Sequence, residues 1–122
     1  MKYDIKNLKL AEKGKNRIEW AANDMPVLAE IRSRLKKEKP FKKMIVAACL
    51  HVTAETANLM LVLKDGGASV RLCASNPLST QDDVAASLVG NYKIPIFAIK
   101  GESKKKYFEH LNAVLDARPN VT

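Results

Sequence analysis

Two cysteines in 122 residues, Cys49 and Cys73, are too few for a disulfide-stapled scaffold, and no paired Cys/His spacing points to zinc. Glycine is sparse too, at five. None falls into Gly-x-Gly-x-x-Gly or Gly-x-x-x-x-Gly-Lys-Ser/Thr, so the usual backbone cradles for a pyrophosphate or a nucleoside triphosphate are missing. There is no Gly-x-Ser-x-Gly elbow for acyl transfer. No apolar run approaches the roughly 20 residues needed to span a bilayer. The start, Met1 to Lys6, lacks the apolar stretch and small-residue cleavage site of a secretory signal. With 47% hydrophobic residues the chain can build a core, which excludes a disordered or low-complexity reading. What remains is a single soluble, cytoplasmic domain without a membrane segment.

Acidic residues are also in short supply. Lys and Arg number 21 against 13 Asp and Glu, a formal net charge of +8. The excess gathers at Arg32, Arg34, Lys36, Lys37, Lys39, Lys42 and Lys43, with a second run at Lys104, Lys105 and Lys106. Such clusters can pair with nucleic-acid phosphates. No aromatic interleaving or nucleic-acid motif accompanies them, however. A solvated helix end, where cations complement the helix dipole, accounts for them better.

What is there reads as helices followed by an alternation. Leu10, Ala11, Ile18, Ala21 and Ala22 recur at helical spacing over residues 8–22. Asn23 or Asp24 can cap a second helix, with Pro26 in its first turn. Leu28, Ile31 and Leu35 form its apolar stripe, and Pro40 ends it. The two read as an antiparallel pair covering part of a sheet. From Met44 to Leu50 runs a continuous apolar stretch, the mark of a strand buried on both faces. Helix 53–65 follows, with Ala57, Met60 and Leu61 inward and Gly66-Gly67 as its stop. Residues 70–74 alternate as a strand. Helix 79–90 carries Val84, Ala85, Leu88 and Val89, strand 94–99 holds Pro95 near its start, and helix 103–117 uses Tyr107, Phe108, Leu111 and Leu115. This βαβαβα order predicts an α/β fold with a parallel sheet of three strands. Arg118 to Thr122 would begin a fourth, so the unit is half of a Rossmann-like or flavodoxin-like domain.

Ligands of open α/β sheets bind beyond the carboxyl ends of the strands. Three loops form that edge: residues 49–56, 74–82 and 100–103. They place His51, Thr53, Glu55, Ser79, Gln81 and Asp82 on one rim. His51 brings a group that can exchange protons near neutral pH, though a lone histidine also serves as a structural or solvent-facing residue. Thr53 and Ser79 suit helix N-caps, and Ser79 with Asp82 resembles a capping box. His110 reads as part of an exposed helix face. Cys49 and His51 sit close in sequence but not as a nucleophile pair, and the thiol reads as reduced and half-buried.

These loops carry a resemblance. Arg-Ile-Glu-Trp-Ala (17–21), Met-Pro-Val-Leu (25–28), Cys-Leu-His-Val-Thr-Ala-Glu-Thr-Ala-Asn-Leu (49–59), Ser-Asn-Pro-Leu-Ser-Thr-Gln-Asp-Asp-Val-Ala-Ala (75–86), Phe-Ala-Ile-Lys-Gly-Glu (97–102) and Arg-Pro-Asn-Val-Thr (118–122) closely resemble the amino-terminal part of the adenosylhomocysteinases, or S-adenosylhomocysteine hydrolases. The form is like that of archaea and thermophilic bacteria. The resemblance implies an NAD-dependent enzyme that reversibly hydrolyses S-adenosylhomocysteine to adenosine and homocysteine. It implies that Thr53 and Glu55 contact the adenine, that Gln81 lies beside that ring with Ser79 among the substrate ligands, and that His51 handles a proton near the sugar.

The family continues past the point matching Thr122 into an acidic Asp-Asp-Gly motif, further ligands and an NAD domain. The expectation is therefore one truncated substrate-binding domain, with residues 1–40 as its helical segment and 41–122 as its βαβαβα unit. No NAD, no metal and no turnover are expected of these residues alone. Adenosine or S-adenosylhomocysteine should bind weakly, and an open edge at strand 44–50 should favour self-association. The alternative is a stand-alone nucleoside-binding or protein-interaction module. An open reading frame running on past Thr122 would favour the former.

Overall fold

The computed structural model describes residues 1–122. Strand β1 (Asp4–Ile5) leads through a 3-10 turn at Leu8–Leu10 into helices α1 (Ala11–Ala22) and α2 (Pro26–Glu38). There follow β2 (Ile45–Leu50), α3 (Ala54–Asp65), β3 (Ser69–Ala74), α4 (Asp82–Gly90), β4 (Ile96–Ala98) and α5 (Lys104–Leu115). The sheet is parallel throughout, in the order β1-β4-β3-β2. The α/β class and the βαβαβα unit are as the periodicity predicts.

The sheet divides two unequal cores. On one face Val70, Leu72, Ala74, Ile96 and Ala98 pack against α3 and α4. On the other a smaller cluster of Ala47, Cys73, Phe97 and Val114 lies under α5. Helix α4 is covered on both sides, and Val84, Ala85, Ala86 and Leu88 are wholly buried.

The first two helices do not cover the sheet. α1 packs on α4 and α3, and α2 on α3, instead of pairing with each other along their length. Two features seat α1. Gly14 brings its backbone against the first turn of α4, where a Cβ would lie 1.8 Å from the Asp83 carbonyl oxygen. Asn58, buried in α3, donates to the carbonyls of Ile18 (3.0 Å) and Ala54 (2.9 Å), stitching the two helices together. The α2 start lacks the expected Asn23 or Asp24 cap. Met25 stands there with no side-chain bond, while Pro26 fills the first position.

Three further expectations are corrected. Strand β2 is not buried on both faces: only Ala47 is, and Leu50 is exposed. The reason is position, since β2 is the sheet edge. Its outer side meets only the chain end, where Val121 bridges Val46, Ala47 N–H donates to Val121 and Asn120 N–H to Ile45. The fourth strand anticipated at 118–122 is that single bridge. The sheet's fourth strand is instead β1, whose two residues are too few to show a period. Helix α4 begins at Asp82, not Ser79, because Thr80 is still held in a bridge to Val52.

Gly14→Ala forces a methyl group into a backbone that cannot yield, and overpacking of this kind costs about 3 kcal/mol. A loss of stability of that size is expected from urea unfolding followed by circular dichroism. Gly101→Ala is expected to lose less, about 1 kcal/mol, because space there is open but the φ of 78° strains any Cβ.

Candidate functional site

The strands end at one rim, and backbone bonds knit its loops. Val52 donates to Ser79 (2.8 Å) and accepts from Gln81 (2.9 Å), so the loops after β2 and β3 run on as a parallel bridge. Gly101 N–H donates to Pro77 at 2.7 Å, and Lys100 N–H to Asp82 Oδ1 at 3.0 Å, tying in the third loop. The Tyr107 hydroxyl closes the edge by donating to the Ser75 carbonyl at 2.9 Å.

On this frame the sequence-derived candidates fall into two groups. His51 is exposed just past β2, and Glu55 is exposed in the first turn of α3. Half-buried Thr53 caps that helix, its Oγ1 accepting from Thr56 N–H at a long 3.5 Å. The hydroxyl proton goes to Thr56 Oγ1, also at a long 3.5 Å. These three share one short segment and face open solvent. Ser79 stands beside them across the Val52 bridge, but it is no helix cap. It accepts from Asn76 N–H (3.2 Å) and donates to the Asn76 carbonyl (3.1 Å), while Asn76 Oδ1 takes Leu78 N–H. That closes the Asn-Pro-Leu-Ser turn on itself. Gln81 parts company with the group. Its side chain lines a polar cleft of 250 Å³ towards α1, with Lys13, Arg17, Asp82 and Lys100, and its Oε1 is buried without a partner.

Nothing at this rim fits the phosphates of a dinucleotide. The turn after β2 has no glycine, and the Val52 and Gln81 amides that would point at a pyrophosphate are spent on the loop–loop bridge. These residues can offer a carboxylate, a hydroxyl and an imidazole to a polar, flat ligand.

Sequence reading missed a second polar centre on the other side of α5. His110, taken for an exposed residue, is buried at 3%. Its Nε2 lies 2.9 Å from Asp4 Oδ2, and its Nδ1 lies 2.6 Å from Glu102 Oε2 at an angle outside hydrogen-bond geometry. The Phe97 ring flanks it at 6.3 Å. Lys106 Nζ reaches Asp4 Oδ2 at 3.1 Å. The only signal was Glu102, the one acid in the strand-to-helix turn Lys100-Gly101-Glu102-Ser103. Burial would raise the Asp4 carboxyl, but hydrogen bonds and charge from His110 and Lys106 outweigh it, and the group is held below its usual 3.8.

Comparison with known proteins addresses the same residues. The family model described as S-adenosyl-L-homocysteine hydrolase matches residues 2–122. The chain is 61% identical over 121 residues to an adenosylhomocysteinase of Aquifex aeolicus, covering 99% of this chain and 29% of that protein. It is 60% identical over 121 residues to one of Thermosynechococcus vestitus, covering 99% and 28%. Over 122 residues it is 52% identical to one of Saccharolobus solfataricus, covering 99% and 29%. The chain thus spans under a third of the length of these curated relatives.

The depressed Asp4 carboxyl sets a pH dependence. A group lowered on folding adds stability that is complete above its unfolded value, here 3.8, and lost as pH falls through the lower folded one. The gap in urea midpoint between the parent and Asp4→Asn is expected to stay constant from neutral pH down to that point and to close below it. A gap that widened in acid would exclude the assigned sign.

Proposed function

The chain belongs to the S-adenosyl-L-homocysteine hydrolase family, and from that premise we propose that its rim is the adenosine-facing, substrate-recognition wall of such an enzyme. The observation carrying this reading is the Val52–Thr80 bridge, which sets His51, Thr53 and Glu55 on one open edge with Ser79 alongside. A purine offers an exocyclic amine to the Glu55 carboxylate and a ring nitrogen to the Thr53 hydroxyl, whose present bond to Thr56 is long at 3.5 Å. The resemblance also assigns Gln81 a place beside that ring, and since its side chain lines the cleft towards α1, it joins the wall only by turning outward. His51 holds or moves a proton at the sugar, a task an imidazole can perform as donor or acceptor.

The redox chemistry of the family calls for NAD. In this reading the nicotinamide cofactor is held by residues outside these 122, consistent with a rim whose amides are already engaged. The unit is one substrate-binding domain portion, residues 1–40 forming its outer helices and 41–122 its βαβαβα layer, working in the cytoplasm. No helix is long and apolar enough to cross a membrane. The stand-alone module keeps its place as the competing reading. An adenosine site of physiological strength in the isolated chain would favour it.

Calorimetric titration of the purified chain with adenosine is expected to give a Kd near about 1 mM, since one wall buries little of the ligand. Glu55→Gln and Thr53→Ala should each abolish that heat. No S-adenosylhomocysteine turnover and no released nicotinamide are expected from this preparation. In a full-length relative carrying the same change, His51→Ala should lower kcat far more than it raises KM. Parental kinetics there, together with unaltered binding in the other two variants, would overturn the assignment.

The β2 edge carries a second expected outcome. Its outer amides and carbonyls beyond Ala47 lack partners, and beside them opens an apolar groove of 480 Å³ lined by Leu50, Leu59, Leu63, Leu111 and Leu115, among others. Edges of this kind pair with another strand. Sedimentation at micromolar concentration is expected to show a two-fold dimer. A strict monomer with slowly exchanging β2 amides would contradict it.

A further inference from the structure

Six buried side-chain atoms find no hydrogen-bond partner, and three of them belong to one cleft. Thr80 Oγ1, Gln81 Oε1 and Asp83 Oδ2 come from residues that wall the 250 Å³ space between α1 and the start of α4. Thr80 is 3% exposed and Asp83 7%. A buried polar atom left unpaired carries its full desolvation penalty. All three are oxygens, so what each of them can take is a donor. Asp83 Oδ1 is already used by Val84 N–H at 2.9 Å. Arg17 Nη2 lies 3.1 Å from Asp83 Oδ2 but outside hydrogen-bond geometry, so it offsets the charge without satisfying the oxygen. Gln81 gives α4 no side-chain cap, and its amide is uncommitted.

The outer part of the cleft has the opposite need. Asp82 is engaged by Lys6 at 3.8 Å and by the Lys100 N–H at 3.0 Å. With Arg17 on Asp83, each carboxylate has its own cation. The Lys13 and Lys100 ammonium groups line the same cleft, exposed and without an acid. No wall comes from β2 or from residues 118–122, and the unpartnered atoms are buried by these walls themselves.

We propose that this cleft is a binding site for a small α-amino acid, a zwitterion whose two ends answer the two needs. A primary ammonium carries three N–H donors, one for each of Thr80 Oγ1, Gln81 Oε1 and Asp83 Oδ2. The Asp83 carboxylate makes its bond charge-assisted. The ligand's carboxylate then lies outward, towards Lys13 and Lys100. A bare anion would set its charge against Asp83 and leave the three oxygens unmet. A bare cation would face Lys13, Arg17 and Lys100 with nothing to offset them. At 250 Å³ the space falls below the roughly 300–1,000 Å³ of pockets for drug-sized ligands, so it takes a short side chain. Thr53 and Glu55 have no part in it, and the site stands or falls apart from the nucleoside wall. Gln81 alone is common to both, and an occupied cleft holds it inward.

The test is a nuclear magnetic resonance titration of the folded 122-residue chain with L-alanine, using acetate and methylammonium as one-ended probes. L-Alanine is expected to give saturable shifts at the amides of residues 80–84 in the millimolar range. Each one-ended probe is expected to bind at least about tenfold more weakly. Thr80→Val keeps the shape and removes the hydroxyl, while Lys13→Ala and Lys100→Ala leave the buried walls intact. Each is expected to weaken L-alanine by about fivefold to tenfold, and the lysine variants decide the matter if Thr80→Val folds poorly. Glu55→Gln, which tests the nucleoside wall, is expected to leave L-alanine binding unchanged. Three results would overturn the proposal. They are no saturable shift at these amides, a one-ended probe binding as tightly as L-alanine, or L-alanine affinity unaltered in both lysine variants.

Discussion

Parallel strands end at a common edge, but nothing in the ladder obliges their loops to stay together beyond it. Here the pairing runs on: Val52 is bonded on both sides to the stretch around Thr80, and much of the molecule follows from that continuation. Thr80, held as strand, delays α4 until Asp82. Asp82 is then placed to receive the Lys100 amide, and Asp83 to meet Arg17 at 3.1 Å. The first turn of α4 thereby anchors the third rim loop on one side and α1 on the other. The same bonds use up the amides that a phosphate would need, so the rim presents side chains instead of backbone donors.

Elements with a clear period were legible in the sequence. The α3, β3, α4, β4 and α5 segments were all found, because their apolar positions repeat over three or more residues and Gly66 or Gly90 marks an end. Boundaries failed where a side chain could serve two roles. Ser79 has the chemistry of an N-cap, but its hydroxyl closes a turn with Asn76. The rim segment from His51 to Glu55 was legible through resemblance more than through physics, since a histidine, a threonine cap and a first-turn glutamate occur in many helices.

What the sequence hid is long-range. β1 offers two residues and no period, and His110 sits on a helix whose Phe108 and Leu115 are half exposed, so no stripe marked its face as the inner one. The smaller core beneath α5 explains this. It is built from Ala47, Cys73, Phe97 and Val114 with a histidine and two carboxylates gathered at its end, not from a continuous hydrophobic seam. Buried polar groups carry a desolvation cost that only their partners offset, and those partners come from three separate segments. Local pattern cannot announce such a site.

That arrangement has a kinetic side. Asp4 and His110 are 106 residues apart in the chain, and β1 pairs only with β4, near the other end of the sequence. Every other strand pairing spans one βα unit. Loop-closure entropy grows with the length enclosed, and contacts of high separation form slowly. The order of assembly is thus written into the topology. β2, β3 and β4 can zip together through their helices while the first ten residues are still free. β1 then docks last, clasped by one histidine and one lysine. By the same reasoning it is the first element to leave, opening and reclosing while the central sheet stays intact.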